Sequence, residues 1–245
     1  MRKAIGRTDR GIIRESNQDQ YAIIKEEDGL FAFVCDGIGG HAGGGKASNL
    51  VTKYIKSNFK SHPKFNDFTT IKNYLITLLE QANQNLIDQA KADPQYQGMG
   101  TTLVGIYLSN EFRVLINIGD SRCYGVNEDQ MILLSDDHSY VNELVKLGKI
   151  TENQAKIHPY RNMLTNALGI SDKLSVDITS IDKKYDQYLL CSDGLHGYVK
   201  QHVISEVLTS SESVTKKVKT LIDKANNVGG FDNVTIVLIG PEEQS

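Results

Sequence analysis

The 245-residue chain is ordinary in composition, with 40% hydrophobic and 23% charged residues, so it can bury roughly three-quarters of its unfolded surface without disulfides or a structural metal. Twenty-seven basic against thirty acidic residues leave a net charge of −3, with no tryptophan and no Lys/Arg block, which excludes a nucleic-acid footprint. No apolar run is long enough for a signal peptide or a membrane span. Cys35, Cys123 and Cys191 are odd in number and far apart, and read as free thiols in a reducing compartment. There is also no Cys-x5-Arg loop for a reactive cysteine. A soluble, cytoplasmic, monomeric protein with one domain over residues 1–245 is expected.

In chain order, residues 19–24 and 30–35 read as strands joined around Asp28-Gly29, a hairpin signal. Apolar residues at three- and four-residue spacing, from Ala47 to Ile55 and from Phe68 to Leu86, then predict two successive amphipathic helices. Residues 101–108, 111–118, 121–126 and 130–134 are β-prone runs too close together for crossovers, so antiparallel pairing is expected. Residues 139–172 are mostly polar with helical pieces near 141–147 and 152–156, which suits an insertion or lid. Strands resume at 174–181 and 188–191, helices at 201–208 and 214–225, and a strand at 234–239 closes the chain. Paired helices and clustered strands imply an α+β layered fold with helices outside antiparallel sheets.

Carboxylates punctuate this pattern. Apolar strands run into Asp36-Gly37, Gly119-Asp120 and Asp193-Gly194, and Asp232 stands just before the last strand. Any single Asp-Gly is explained as a turn. Several carboxylates at buried strand ends would repel one another without a cation. Oxygen-only ligands suit Mg²⁺ or Mn²⁺, and the six histidines form no zinc-type grouping.

Two glycine patterns compete. Gly40-x4-Gly45-Lys46 matches a P-loop until Ala47, where a Ser or Thr should stand. Gly37-x-Gly39-x-x-Ala42 resembles a dinucleotide fingerprint, but no acidic residue follows before Asp67. Both demand a parallel sheet, and the strand order speaks against one.

The ordered segments Arg14-Glu15-Ser16-Asn17-Gln18-Asp19, Asp36-Gly37-Ile38-Gly39-Gly40-His41, Gly100-Thr101-Thr102, Gly119-Asp120-Ser121-Arg122, Asp137-His138-Ser139, Ser192-Asp193-Gly194-Leu195 and Asp232-Asn233-Val234-Thr235 resemble the motifs of bacterial protein phosphatase 2C (PPM) enzymes. The resemblance spans nearly the whole chain. It implies a four-layer α-β-β-α sandwich of two antiparallel sheets flanked by helices, with residues 139–172 as a flap. It also implies hydrolysis of phosphoserine and phosphothreonine in proteins, opposing a cognate Ser/Thr kinase, by a water or hydroxide bridging two divalent ions for in-line attack.

On that pattern Asp36 bridges both ions, the Gly37 carbonyl binds one, Asp193 and Asp232 bind the other, and Asp120 with Asp193 forms a third position. Arg14 would hold the phosphate through its bidentate fork, and Asp19 would orient water beside the ions. Animal members carry a histidine directly after Asp-Gly, where this chain has Ile38. His41, three residues on, stands as the candidate general acid, with a metal-held water as the alternative donor. A regulator that keeps the fold without turnover is the competing class.

Overall fold

Alternation along the inner strands decides the architecture. The computed structural model describes residues 2–27, 29–40, 43–59, 62, 64–128 and 130–241. Strand β3 (Gly29–Cys35) sends Phe31, Phe33 and Cys35 into one apolar cluster and Leu30, Ala32 and Val34 into another. Strand β12 (Val234–Pro241) likewise divides Val234, Ile236 and Leu238 from Val237 and Ile239. Strands buried on both faces occupy inner layers, and the cluster that β3 and β12 share lies between two sheets.

Both sheets are antiparallel and five-stranded. The first is ordered β10 (Asp177–Ser180), β7 (Arg113–Ile118), β6 (Leu103–Ser109), β3 and β2 (Gln20–Lys25). The second is ordered β1 (Arg2–Asp9), β12, β11 (Gln187–Cys191), β8 (Arg122–Val126) and β9 (Met131–Leu133).

Helices α1 (Gly43–Phe59) and α2 (Phe68–Ala92) cover the first sheet with Val51, Ile55, Phe59, Ile71, Leu75 and Leu79, the positions that helical spacing puts on one face. Asp67 caps α2, its carboxylate accepting the Thr70 N–H at 2.7 Å, which satisfies a donor that the first helical turn leaves free. Helices α6 (Gln201–Thr209) and α7 (Val214–Asn227) cover the second sheet with Ile204, Leu208, Val218, Leu221 and Ile222. The chain thus forms the four-layer α-β-β-α sandwich. Among the described residues no helix is long and apolar enough to cross a membrane.

Three differences from the sequence reading matter. Residues before Asp19 carry no strand signal, yet β1 pairs with β12 from Arg2↔Pro241 to Asp9↔Val234. An edge strand with few apolar residues offers little alternation to read. The run 101–108 is split, because β5 (Gly100–Thr101) pairs with β4 (Gly37–Ile38) before β6 begins.

The runs from 101 to 134 also do not form one meander. Strands β7 and β8 lie in different sheets, and the chain crosses between them at Gly119, Asp120 and Ser121. Gly119 has φ 101° and a Cβ there would lie 2.6 Å from Thr102, so glycine alone suits the crossing. Short helices α3 (Tyr140–Lys146) and α4 (Glu152–Lys156) punctuate residues 139–172, and α5 (Asp193–His196) follows β11 directly. Asp28 of the expected hairpin turn lies outside the described residues.

Candidate active site

Strand register gathers the carboxylates. Gln20 opposes Cys35, so Asp19 and Asp36 meet at neighbouring strand ends. Leu103 opposes Ile118, which brings the crossing at Asp120 to the same edge. In the second sheet Cys191 opposes both Arg122 and Ile236, placing Asp193 and Asp232 beside that crossing. Asp193 is the first residue of α5, and a carboxylate is favourably placed in a first helical turn.

Hydroxyls and amides from distant motifs hold the cluster. Thr102 Oγ1 accepts the Asp36 N–H at 3.0 Å, Thr101 Oγ1 donates to the Asp36 carbonyl at 2.8 Å, and Thr102 Oγ1 lies 2.8 Å from Ser121 Oγ. Asp19 is buried and its Oδ2 accepts from Ser192 Oγ at 2.7 Å, while Ser192 Oγ accepts the Thr235 N–H at 3.0 Å. Asp19 Oδ1 has no hydrogen-bond partner.

Asn233 pins residues 10–18 by donating to the Arg10 and Ser16 carbonyls at 2.8 and 2.9 Å and accepting the Gln18 N–H at 2.8 Å. That loop presents Arg14, whose Nη2 donates to Asp232 Oδ2 at 2.7 Å. On the other flank the Asp120 carbonyl lies 3.0 Å from His196 Nε2, and Arg122 grips Asp137 with Nε at 3.0 Å and Nη2 at 2.7 Å.

The acids disfavour one another's charge. Burial, then Asp19, Asp193 and Asp120, push the Asp36 carboxyl well above the usual range. Its contact with Asp193 raises Asp36 and lowers Asp193. Asp19 is pushed up to about 6 by burial, against the pull of Ser192 and Thr235. Asp193 is pushed up to about 6 by burial and by Asp232, and Asp120 to about 8 by burial, Asp193 and Asp137. Burial and Arg122 together hold His196 well below the ordinary histidine value.

This donor set fits divalent cations of the hard, oxygen-seeking kind. Four mutually repelling carboxyls and an unpartnered buried oxygen describe a place where positive charge is stabilising. Among the described residues no three acidic, histidine or cysteine side chains already stand as a closed ligand group. Asp232 is engaged instead by Arg14. A cation held by Asp232 would therefore displace Arg14 from it.

Of the residues singled out from sequence, Asp19, Asp36, Asp120, Asp193, Asp232 and Arg14 thus meet at one end of the sandwich. Gly37 is buried in β4 where a Cβ would lie 2.2 Å from the Gly44 carbonyl, so the first turn of α1 can pass only against glycine. His41 lies outside the described residues. The P-loop and dinucleotide readings fail because the sheets are antiparallel, and Lys46 sits instead over the Tyr96 ring at 5.4 Å. Sequence reasoning gave no role to Ser192, Thr235, Asn233 or Thr102. Ser192, Asn233 and Thr235 stand beside aspartates within the same motifs, whereas Thr102 lies in Gly100-Thr101-Thr102, which contains none. Two surface cavities, of about 370 and 260 Å³, lie elsewhere and contain none of these carboxylates.

A two-sheet sandwich whose loops gather carboxylates at one end suits metal-dependent hydrolysis. The chain belongs to the protein phosphatase 2C family, whose model matches residues 13–232. It is 35% identical to the serine/threonine phosphatase stp of Listeria innocua over 95% of this chain and 93% of that one. Protein phosphatase PhpP of Streptococcus pneumoniae is 33% identical, covering 97% and 96%. Among solved structures, serine/threonine phosphatase Stp1 from Staphylococcus aureus superposes with a TM-score of 0.92 at 34% identity, covering 99% and 96% of the two chains. The PstP/Ppp phosphatase of Mycobacterium tuberculosis does so with 0.84 at 31%, covering 99% of each.

Proposed function

We propose that this protein phosphatase removes phosphate from phosphoserine and phosphothreonine using two Mn²⁺ or Mg²⁺ ions, with a third ion beside Asp120. Asp36 and the Gly37 carbonyl would hold one ion, Asp36, Asp193 and Asp232 the second, and Asp120 with Asp193 the third. When bound, such ions supply a deprotonated water at neutral pH and neutralise charge on the phosphoryl oxygens. The observation that carries this reading is the convergence of Asp36, Asp120, Asp193 and Asp232, from distant parts of the chain, at one end of the sandwich.

The chain's own groups have separate jobs. Arg14, half-exposed on the pinned loop, exchanges Asp232 for the substrate phosphate, where its planar fork takes two oxygens at once. Asp19 Oδ1, lacking a partner, accepts a hydrogen bond from the attacking water and fixes its orientation. His41 donates a proton to the departing serine or threonine oxygen. Residues 1–245 act as one unit, with residues 139–172 as a flap beside the cleft.

The substrates are phosphorylated proteins, among them a Ser/Thr kinase of the same cell and that kinase's targets. A monomer in the cytoplasm suits the three buried free cysteines. Release of phosphate from a phosphothreonine peptide with Mn²⁺, abolished by EDTA and by Asp193→Ala, is the expected result. Turnover that survived both treatments would refute the reading.

A further inference from the structure

One exposed feature near the carboxylates has no part in the chemistry. Ile12, Ile13 and Phe231 are 62%, 63% and 49% exposed, and Tyr198 is 40% exposed. Isolated exposed apolar side chains need no explanation, but a contiguous group marks a contact surface. These four are held in place by backbone rather than left on loose loops. The Ile12 and Ile13 N–H groups both donate to the Gly230 carbonyl, at 2.8 and 3.0 Å. Gly230 has φ 53° and a Cβ there would lie 2.7 Å from the Ile12 side chain, while a Cβ on Gly229, φ 135°, would lie 2.4 Å from the Phe231 ring. The Phe231 and Tyr198 rings pack with centroids 5.5 Å apart.

The rim is continuous with the phosphate site. Ile13 directly precedes Arg14, Phe231 directly precedes Asp232, and Arg14 binds Asp232. Tyr198 lies within electrostatic reach of Asp232, Asp193 and Arg14, and of Arg161 from residues 139–172. Successive residues of an extended peptide advance about 3.5 Å. A side chain one or two positions from a phosphorylated residue held at Arg14 therefore falls on this rim.

We infer that Ile12, Ile13, Phe231 and Tyr198 form a specificity surface that receives an apolar or aromatic side chain next to the phosphorylated residue of the substrate protein. This deepens the proposed function and rests on it. The rim takes no part in bond cleavage and acts through binding, so its effect falls on KM. Covering about half of a large apolar side chain is worth roughly tenfold in affinity.

The test compares two phosphothreonine peptides with Mn²⁺, one flanked by Leu and Phe at the neighbouring positions and one flanked only by Ala. Wild type should favour the apolar peptide by about tenfold in kcat/KM, through KM. Ile13→Ser and Phe231→Ser should each erase most of that preference while leaving kcat/KM on the Ala peptide unchanged, which also shows that the variants fold. Equal rates of the wild type on both peptides, or a preference retained by both variants, would overturn this inference alone. Failure of the wild type to hydrolyse either peptide would overturn the proposed function and this inference with it. A concentration-dependent dimer lost in Phe231→Ser would assign the rim to a second copy of the chain and overturn the inference too.

Discussion

Chelating divalent ions from this protein should make its stability fall as the pH rises from 5 to 8. Asp19 sets the magnitude, because it is buried and its pKa moves from 3.8 to about 6. A carboxyl whose folded-state pKa lies above its unfolded value binds its proton more tightly in the folded protein. Its contribution is fully present below 3.8 and lost as the pH climbs through about 6. At about 1.36 kcal/mol per pH unit, that interval is worth on the order of 3 kcal/mol.

Asp193 titrates in the same window and Asp120 extends it to about 8. Both are more open to solvent than Asp19, and Asp193 repels both Asp19 and Asp120, so they broaden the loss rather than multiply it. Asp136, whose pKa is lowered chiefly by its contacts with Lys146 and Asn142 against burial, acts in the opposite sense only below the usual carboxylate range. Only the part of that loss above pH 5, about 1.4 kcal/mol, falls in the measured range, so thermal melts of EDTA-treated protein should lose roughly 3–6 °C between pH 5 and pH 8, at about 2–4 °C per kcal/mol for a chain of this size. Asp19→Asn should flatten the slope, and Mn²⁺ should raise the melting temperature most at pH 8. A melting temperature of the chelated protein that rose or stayed level over that range would refute the reasoning.

Two further outcomes follow from the same geometry. Asn233→Ala removes three part-buried hydrogen bonds to the backbone of residues 10–18. It should cost about 1–3 kcal/mol in urea unfolding and lower kcat/KM by releasing Arg14, whereas unchanged phosphopeptide kinetics would separate the loop from the phosphate. The three cysteines are buried, and burial pushes the Cys35 and Cys191 thiols up to about 12. A thiol reagent should find no reactive cysteine in the native protein and three after unfolding.

The site was legible at its aspartates because each stands where an apolar strand stops, and a lone carboxylate there is costly unless something compensates it. The grouping of Asp19 with Asp36 follows from the hairpin register alone. The crossing at Asp120 was not legible, because β7 and β8 read as neighbours in one meander and nothing local says that the chain changes sheets at Gly119. Strand β1 was missed since it is paired along one edge and mixes charged with apolar residues. The glycine-rich stretch before α1 drew attention to phosphate loops, whereas Gly37 and Gly44 serve a close approach of backbones. Ser192 and Thr235 escaped notice because their partner, Asp19, is 173 residues from Ser192 along the chain.

The most direct measurement of the central claim is calorimetric titration of Mn²⁺ into chelated protein at pH 7, repeated in buffers of different ionisation enthalpy. Binding of at least two ions with release of protons is expected, because Asp120, pushed up to about 8, gives up its proton when a cation binds, together with loss of the tight phase in Asp36→Asn. Binding without proton release, or an isotherm unchanged by Asp36→Asn, would contradict it.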